Sequence, residues 1–163
     1  MNQALKDQRV QELISLYNNG DIKECLLKAK KVAKIYPEEP FVFNLIGVVS
    51  ASIGSYDEAI ESYKRALKIN PNRFDLWQKL MYMHYDAKHW ERLRSVAEAA
   101  TRNFPLKPES YYFGSVACNQ LEKYKRASEL VDIGLSFIID EPILKSDLLG
   151  QRGEAFFGMG MPE

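Results

Sequence analysis

Two histidines, two cysteines and a lysine run are the groups in this sequence best placed to do acid–base, nucleophilic, metal or anion chemistry. His84 and His89 lie five residues apart, which is not a spacing that puts two ligands on one helix face. Neither belongs to a metal motif such as His-Glu-x-x-His. Cys25 and Cys118 fall among recurring apolar positions and read as small buried hydrophobes. Lys28, Lys30, Lys31 and Lys34 are interleaved with Asp21, Glu24, Glu38 and Glu39, the pattern of a solvated helix face. Gly158-Met159-Gly160 is too short for a phosphate-cradling loop. No acid, base and nucleophile converge, so the expectation is a chain that is not an enzyme and holds no metal and no cofactor.

The elements that carry these residues are bounded by composition. Lysine plus arginine equals aspartate plus glutamate, 22 each over 163 residues. A zero balance argues against a nucleic-acid partner, whose binding draws on lysine and arginine neutralising phosphates. With 46% apolar and 27% charged residues, the chain is neither disordered nor membranous. The apolar stretch from Phe41 to Ile53 is interrupted by Asn44, Ser50 and Ser52 and is shorter than the roughly 20 residues a bilayer needs. It reads as a buried helix, so membrane insertion is not expected. The N-terminus shows no apolar core of a signal peptide. A cytoplasmic location is expected, with the periplasm as the alternative if a signal peptide has been removed.

Prolines recur at Pro37, Pro71 and Pro105, a step of 34. Ile22, Tyr56, Trp90 and Tyr124 keep the same step with large apolar side chains, and Cys25, Ala59, Leu93 and Ala127 form a second register on it. Val32, Ala66, Ala100 and Gly134 form a register of mostly small ones. A fixed period of this length marks a stacked helical array. Within a period the pattern is helix, turn, helix. Phe43, Ile46, Gly47 and Ser50 share one helical face, Gly54-Ser55 breaks it, and Tyr56, Ala59, Tyr63 and Ala66 share the next. Asn70-Pro71 stops the second helix. Helix pairs are predicted at 6–19 and 22–36, 40–53 and 56–69, 74–87 and 90–103, and 108–121 and 124–138, with a further helix at 142–158. His84 occupies a core-aromatic position of this pattern. Stacked repeats hold Cys25 and Cys118 well beyond the roughly 4–7 Å Cα separation of a disulfide.

Gly47, Gly54, Tyr56, Ala59, Tyr63, Ala66 and Pro71 resemble the tetratricopeptide repeat (TPR) motif. Gly20, Cys25, Ala29, Val32 and Pro37 continue the resemblance in the first repeat, and Trp77, Leu80, Trp90, Ala97, Ala100 and Pro105 in the third. The fourth is looser, with Tyr111, Ser115, Tyr124, Ala127 and Gly134. A fifth unit resumes after a four-residue insertion through Leu149, Gly153, Phe156 and Gly160. The resemblance implies a bacterial-type array of about four and a half repeats, folded as an all-α, right-handed superhelical solenoid of antiparallel helix pairs. The whole of 1–163 is read as one array, with repeats near 6–39, 40–73, 74–107 and 108–141 and a partial one at 146–163. Arg9 and Glu12 replace apolar residues of later repeats, as an N-terminal capping helix should. Lys88 and Glu122 stand where Gly20 and Gly54 end their helices, at an expected cost of about 1 kcal/mol each if the backbone there needs positive φ, which leaves the geometry of those two turns open.

The resemblance also implies a function: a scaffold that binds a peptide or partner helix in a concave groove lined by the first helix of each repeat. Carried onto this sequence, the inward positions are Tyr17, beside Val10 and Ile14, then Asn44 and Val48, beside Ala51. They continue with Gln78, Tyr82 and Tyr85, and then with Tyr112, Val116 and Asn119. Tyrosines and amides of this kind suit a protein partner. The lysine, asparagine and arginine clamp of chaperone-binding members is absent. Its offsets hold Val10, Ile14, Leu45, Asp75 and Lys79, or one repeat later Asn44, Val48, Gln78, Glu109 and Phe113. The alternative is the TPR arm of a larger glycosyltransferase- or sulfotransferase-like enzyme, to which Asn-Leu-x-Gly at 44–47 bears a faint resemblance. RNA binding by the related pentatricopeptide repeats is opposed by the step of 34 and the neutral charge.

The sequence closes on Met161-Pro162-Glu163, where the partner of the last helix is expected to begin. Leu148, Leu149, Phe156 and Phe157 are therefore expected to present an uncovered face, met by further chain or, alternatively, by a homodimer through this C-terminal helix.

Overall fold

The computed structural model describes residues 3–160, which form nine helices and no strand. The helices are α1 (Gln3–Asn18), α2 (Ile22–Ile35), α3 (Pro40–Ser52), α4 (Tyr56–Ile69), α5 (Phe74–Asp86), α6 (Trp90–Asn103), α7 (Pro108–Gln120), α8 (Tyr124–Ser136) and α9 (Pro142–Gly158). From α2 onward, helix starts recur at 22, 56, 90 and 124, and at 40, 74, 108 and 142. This is the step of 34 read from the prolines. Met161, Pro162 and Glu163 lie outside the described residues. The chain divides into two compact units, Met1–Leu76 and Trp77–Glu163, the division falling within α5.

In the first unit, α3 packs against both α2 and α4. It is apolar around most of its circumference because neighbours cover both sides: Val42, Leu45, Ile46 and Val49 are all buried. On α2 and α4 only one stripe is buried, Cys25, Ala29 and Val32 on the former and Ala59, Tyr63 and Ala66 on the latter. Small residues on these stripes let the axes approach. At Gly47 the approach leaves no room for a side chain, since an added Cβ would fall 2.5 Å from Tyr63 Cε1. The tyrosine ring thus lies directly on the backbone of α3. Burial, with a smaller contribution from Tyr17, pushes the Tyr63 phenol up to about 12. On α1, Leu13 is buried while Glu12 faces solvent and pairs with Lys28 at 2.6 Å.

In the second unit, α7 is the central helix, packed against α6, α8 and α9. Tyr111 through Asn119 are buried except for Tyr112, which is half-buried. Gly134 on α8 leaves room for Tyr111 and Leu148, since a Cβ there would lie 2.9 Å from Tyr111 Cβ and 3.2 Å from Leu148 Cδ1. Tyr111 keeps its hydroxyl satisfied by donating to the Pro105 carbonyl at 2.8 Å.

The turns at Lys88 and Glu122 have the same geometry as the glycine turns. Lys88 has φ 56° and Glu122 φ 58°, beside 82° at Gly20 and 76° at Gly54. The amide after each makes the same bond back across five residues: Asp21 to Leu16, Ser55 to Ser50, His89 to His84 and Lys123 to Cys118, at 2.8–3.0 Å. This is the Schellman closure that satisfies the last carbonyls of a helix. The left-handed residue is set by that closure and by the two helices it joins, and two side chains tolerate it where glycine would be relaxed.

The fifth unit differs from its expected start at 146. α9 begins on the 34-residue step at Pro142 and is 17 residues long, against 13 for α7. The positive-φ residue ending it, Gly160 at 70°, falls four beyond the step from Glu122. The insertion is therefore absorbed as one extra helical turn, which shifts the phase of the helix by only about 40° because 3.6 residues make a turn.

Candidate functional site

Tyr82 and Tyr85 of α5 and Tyr112 of α7 surround Phe113, which is buried on α7. Phe113 meets all three edge-on, with ring centroids 4.8 Å from Tyr82, 5.3 Å from Tyr112 and 6.1 Å from Tyr85. Such edge-to-face contacts favour a defined ring orientation. Tyr82 stays 47% exposed despite this anchorage. Burial pushes the Tyr112 phenol up, and the neighbouring Tyr85, Asp147 and Tyr82 add to the shift. Asp147 is on α9, so the first helices of three successive repeats meet here.

Beside these rings lies a cavity of about 420 Å³ lined by Gln78 and Tyr82 of α5, Glu109 of α7, Glu141 ahead of α9, and Pro142, Ile143, Leu144 and Asp147 of α9. Ile143 is exposed at its edge. The lining is apolar at the α9 end and carries carboxylates around it. Glu109, Glu141 and Asp147 form no ion pair among the described residues, and Glu109 Oε2 is shielded from water with no hydrogen-bond partner. Elsewhere in the same unit, Glu91 and Glu98 pair with Arg94, Glu129 with Arg126 and Asp132 with Arg152.

Of the residues expected to line a groove, Gln78 and Tyr82 line this cavity, and Tyr85 and Tyr112 join Tyr82 around Phe113. Val116 and Asn119 do not: they are 6% and 4% exposed. The Asn119 amide donates to the carbonyl and the side-chain oxygen of Gln151 at 2.9 and 3.0 Å, so α9 covers that end of α7. In the first unit, Asn44 and Val48 of α3 are half-buried. Asn44 borders a smaller hollow of about 200 Å³ with Glu39, Phe41, Arg73 and Leu76. Tyr17 lines a separate, wider hollow of about 920 Å³ formed by turn residues from Asn18 to Glu24 with Ser52 and Ile53. It is a surface depression at helix ends and brings none of the other expected groove residues to it.

The expected uncovered face of the last helix needs one correction. Leu148 is fully buried, filling the space that Gly134 leaves. Leu149 and Phe157 are exposed, the latter at 83%, while Phe156 is half-buried under the Arg152 guanidinium at 5.4 Å. The position after a one-turn lengthening decides which of these the helix turns inward.

Sequence reasoning missed Phe113, Glu141, Ile143 and Asp147. Phe113 was legible as an aromatic run with Tyr111 and Tyr112, but its role as the hub for α5 was not. Glu141 and Ile143 fall ahead of the expected fifth unit at 146 and Asp147 at its very start, so the expected insertion hid them.

His84 is buried, its ring centroid 5.8 Å from that of His89. Both cysteines are free and buried, and burial pushes both thiols up, which suppresses thiolate chemistry. Among the described residues no group of histidine, cysteine and carboxylate side chains converges to hold a metal ion, and no helix is long and apolar enough to cross a membrane.

Residues 40–73, which are α3, α4 and the turn that follows, match the tetratricopeptide repeat family model. Most of the chain shares its fold with solved structures. It aligns with the crystal structure of MamA protein over 96% of this chain and 83% of that one, at a TM-score of 0.80 and 17% identity. With MamA 41-end from Desulfovibrio magneticus RS-1 the coverage is 96% and 94%, the TM-score 0.72 and the identity 18%. YrrB, described as a TPR protein with an unusual peptide-binding site, aligns over 95% and 78% at 0.77 and 13%. No curated protein matches the chain in sequence. From α2 onward the helices keep a 34-residue step, and one of these helix pairs, residues 40–73, matches the tetratricopeptide repeat model, so the chain carries a tetratricopeptide repeat within an all-helical repeat fold.

Proposed function

We propose that the protein is a non-catalytic interaction scaffold, and that the face built by α5, α7 and α9 of the second unit holds an extended peptide or a partner helix. The observation that carries this reading is the aromatic wall: three tyrosines held by one buried phenylalanine beside a cavity of about 420 Å³. Rings fixed before binding lose little entropy on contact, which is where interface energy is gained. YrrB, which shares the fold, is described as having a peptide-binding site, though an unusual one.

Affinity capture with the wild-type chain, Tyr82→Ala and Tyr112→Ala tests the reading. Truncating a central tyrosine costs about 1–2 kcal/mol of binding, a fall of about five- to thirtyfold. Loss of the same partner in both variants, with unchanged circular dichroism, is the expected result. Retention in both would move binding away from this face.

A further inference from the structure

We propose that the anchor taken by this groove is a cationic side chain, an arginine or lysine carried on an otherwise apolar extended peptide. The inference rests on the peptide reading above and specifies its ligand. Glu109, Glu141 and Asp147 line the cavity, and no lysine or arginine does. The carboxylates elsewhere in the unit that have a cation within reach are paired with it, as Glu91, Glu98, Glu129 and Asp132 show. Three carboxylates therefore border one cavity with no cation among its lining, and a guanidinium or ammonium entering it meets complementary charge.

A second observation is independent of the charge count. Glu109 Oε2 is cut off from water yet makes no hydrogen bond. A carboxylate with one oxygen closed to water and unpaired is under-solvated, and a cation in the adjoining cavity compensates its charge. A third is the composition of the walls. Tyr82 offers an exposed ring for a cation to lie against, and Pro142, Ile143 and Leu144 offer apolar surface to the methylene stem behind it. A carboxylate entering the cavity would meet Glu109, Glu141 and Asp147 with no cation in the lining to offset them.

The test is selection of a random-sequence twelve-residue display library on the immobilised full chain, repeated on Tyr82→Ala, Glu141→Gln and the double variant Glu109→Gln/Asp147→Asn. The expected outcome is enrichment of arginine or lysine in clones that depend on Tyr82. Their capture should weaken about threefold per neutralised carboxylate and fall as salt is raised. Glu141 lies ahead of α9 and is exposed, so its variant reports on charge even if the double variant folds poorly. Clones that depend on Tyr82 but carry no basic residue would overturn the cationic anchor and leave the peptide groove standing. If no clone depends on Tyr82, both readings fall.

Discussion

The two units build the same helix pair from different residues. Where α3 meets α4 in the first unit, Gly47 faces Tyr63, and both are buried. One step of 34 later the corresponding positions hold Met81 and Ala97, and one step further Ser115 and Val131, all four buried. Side-chain volume moves from one helix to the other while the place is conserved. The turns behave likewise, with Gly20 and Gly54 in the first unit and Lys88 and Glu122 in the second at the same positive φ. Charge diverges most. In the first unit Glu12, Glu24, Glu38, Glu39 and Glu58 are each matched to lysine or arginine. In the second, three carboxylates are left facing a cavity. The repeat constrains backbone and total volume at each crossing, and the residues outside those constraints are where the units acquire different surfaces.

The sharpest way to break that comparison is at the crossing. Gly47→Ala drives a methyl into the Tyr63 ring and should destabilise the protein by about 2 kcal/mol, read as a lowered urea midpoint. Adding Tyr63→Ala to it should cost less than the sum of the two single changes, because the ring is the obstacle. Additive losses would mean that the volumes are not coupled.

The turns give a smaller effect of opposite sign in the two units. Lys88→Gly and Glu122→Gly should each stabilise by about 0.5–1 kcal/mol, since the left-handed strain outweighs the added freedom of the unfolded chain. Gly54→Ala should destabilise by about 1 kcal/mol. Thermal unfolding of the three variants measures this. Stabilisation of none of the unit-two variants would show that side-chain contacts of Lys88 and Glu122 compensate the strain.

The smallest effect is electrostatic. Hydrogen bonds from Lys30, and secondarily Ser50, hold the Glu58 carboxyl below the usual carboxylate range. A carboxyl lowered in the folded state adds stability above its unfolded value, and that contribution disappears as pH falls through the folded one. Because the pair is partly exposed, the amount is about a few tenths of a kcal/mol. Glu58→Gln should therefore flatten the acid side of the stability profile slightly and leave its alkaline side unchanged.

Much of the fold was legible because its determinants are local. Gly54-Ser55 and Asn70-Pro71 punctuate the chain by backbone sterics alone, and observed helix ends fall within about three residues of the predicted ones. The site was legible in part. Tyr82, Tyr85 and Tyr112 were placed by their offsets within a helix, whereas Val116 and Asn119 have similar offsets and are buried. What separates them is the neighbouring helix, since α9 reaches Asn119 through Gln151 and the tyrosines lie beyond that contact.

The sequence by itself determined the period, the helix pairs, the turns and the residue types on each helical face, because helical periodicity and turn sterics act over a few residues. The tertiary structure decided which faces are covered. It set Phe113 as the hub of three tyrosines, buried Leu148 against Gly134, and brought Glu109 and Asp147 together from helices 34 residues apart. It also carried the four-residue insertion as an added turn of α9 rather than a displaced start. Coverage and charge convergence depend on how one helix lies against the next, and no pattern within a single helix encodes that.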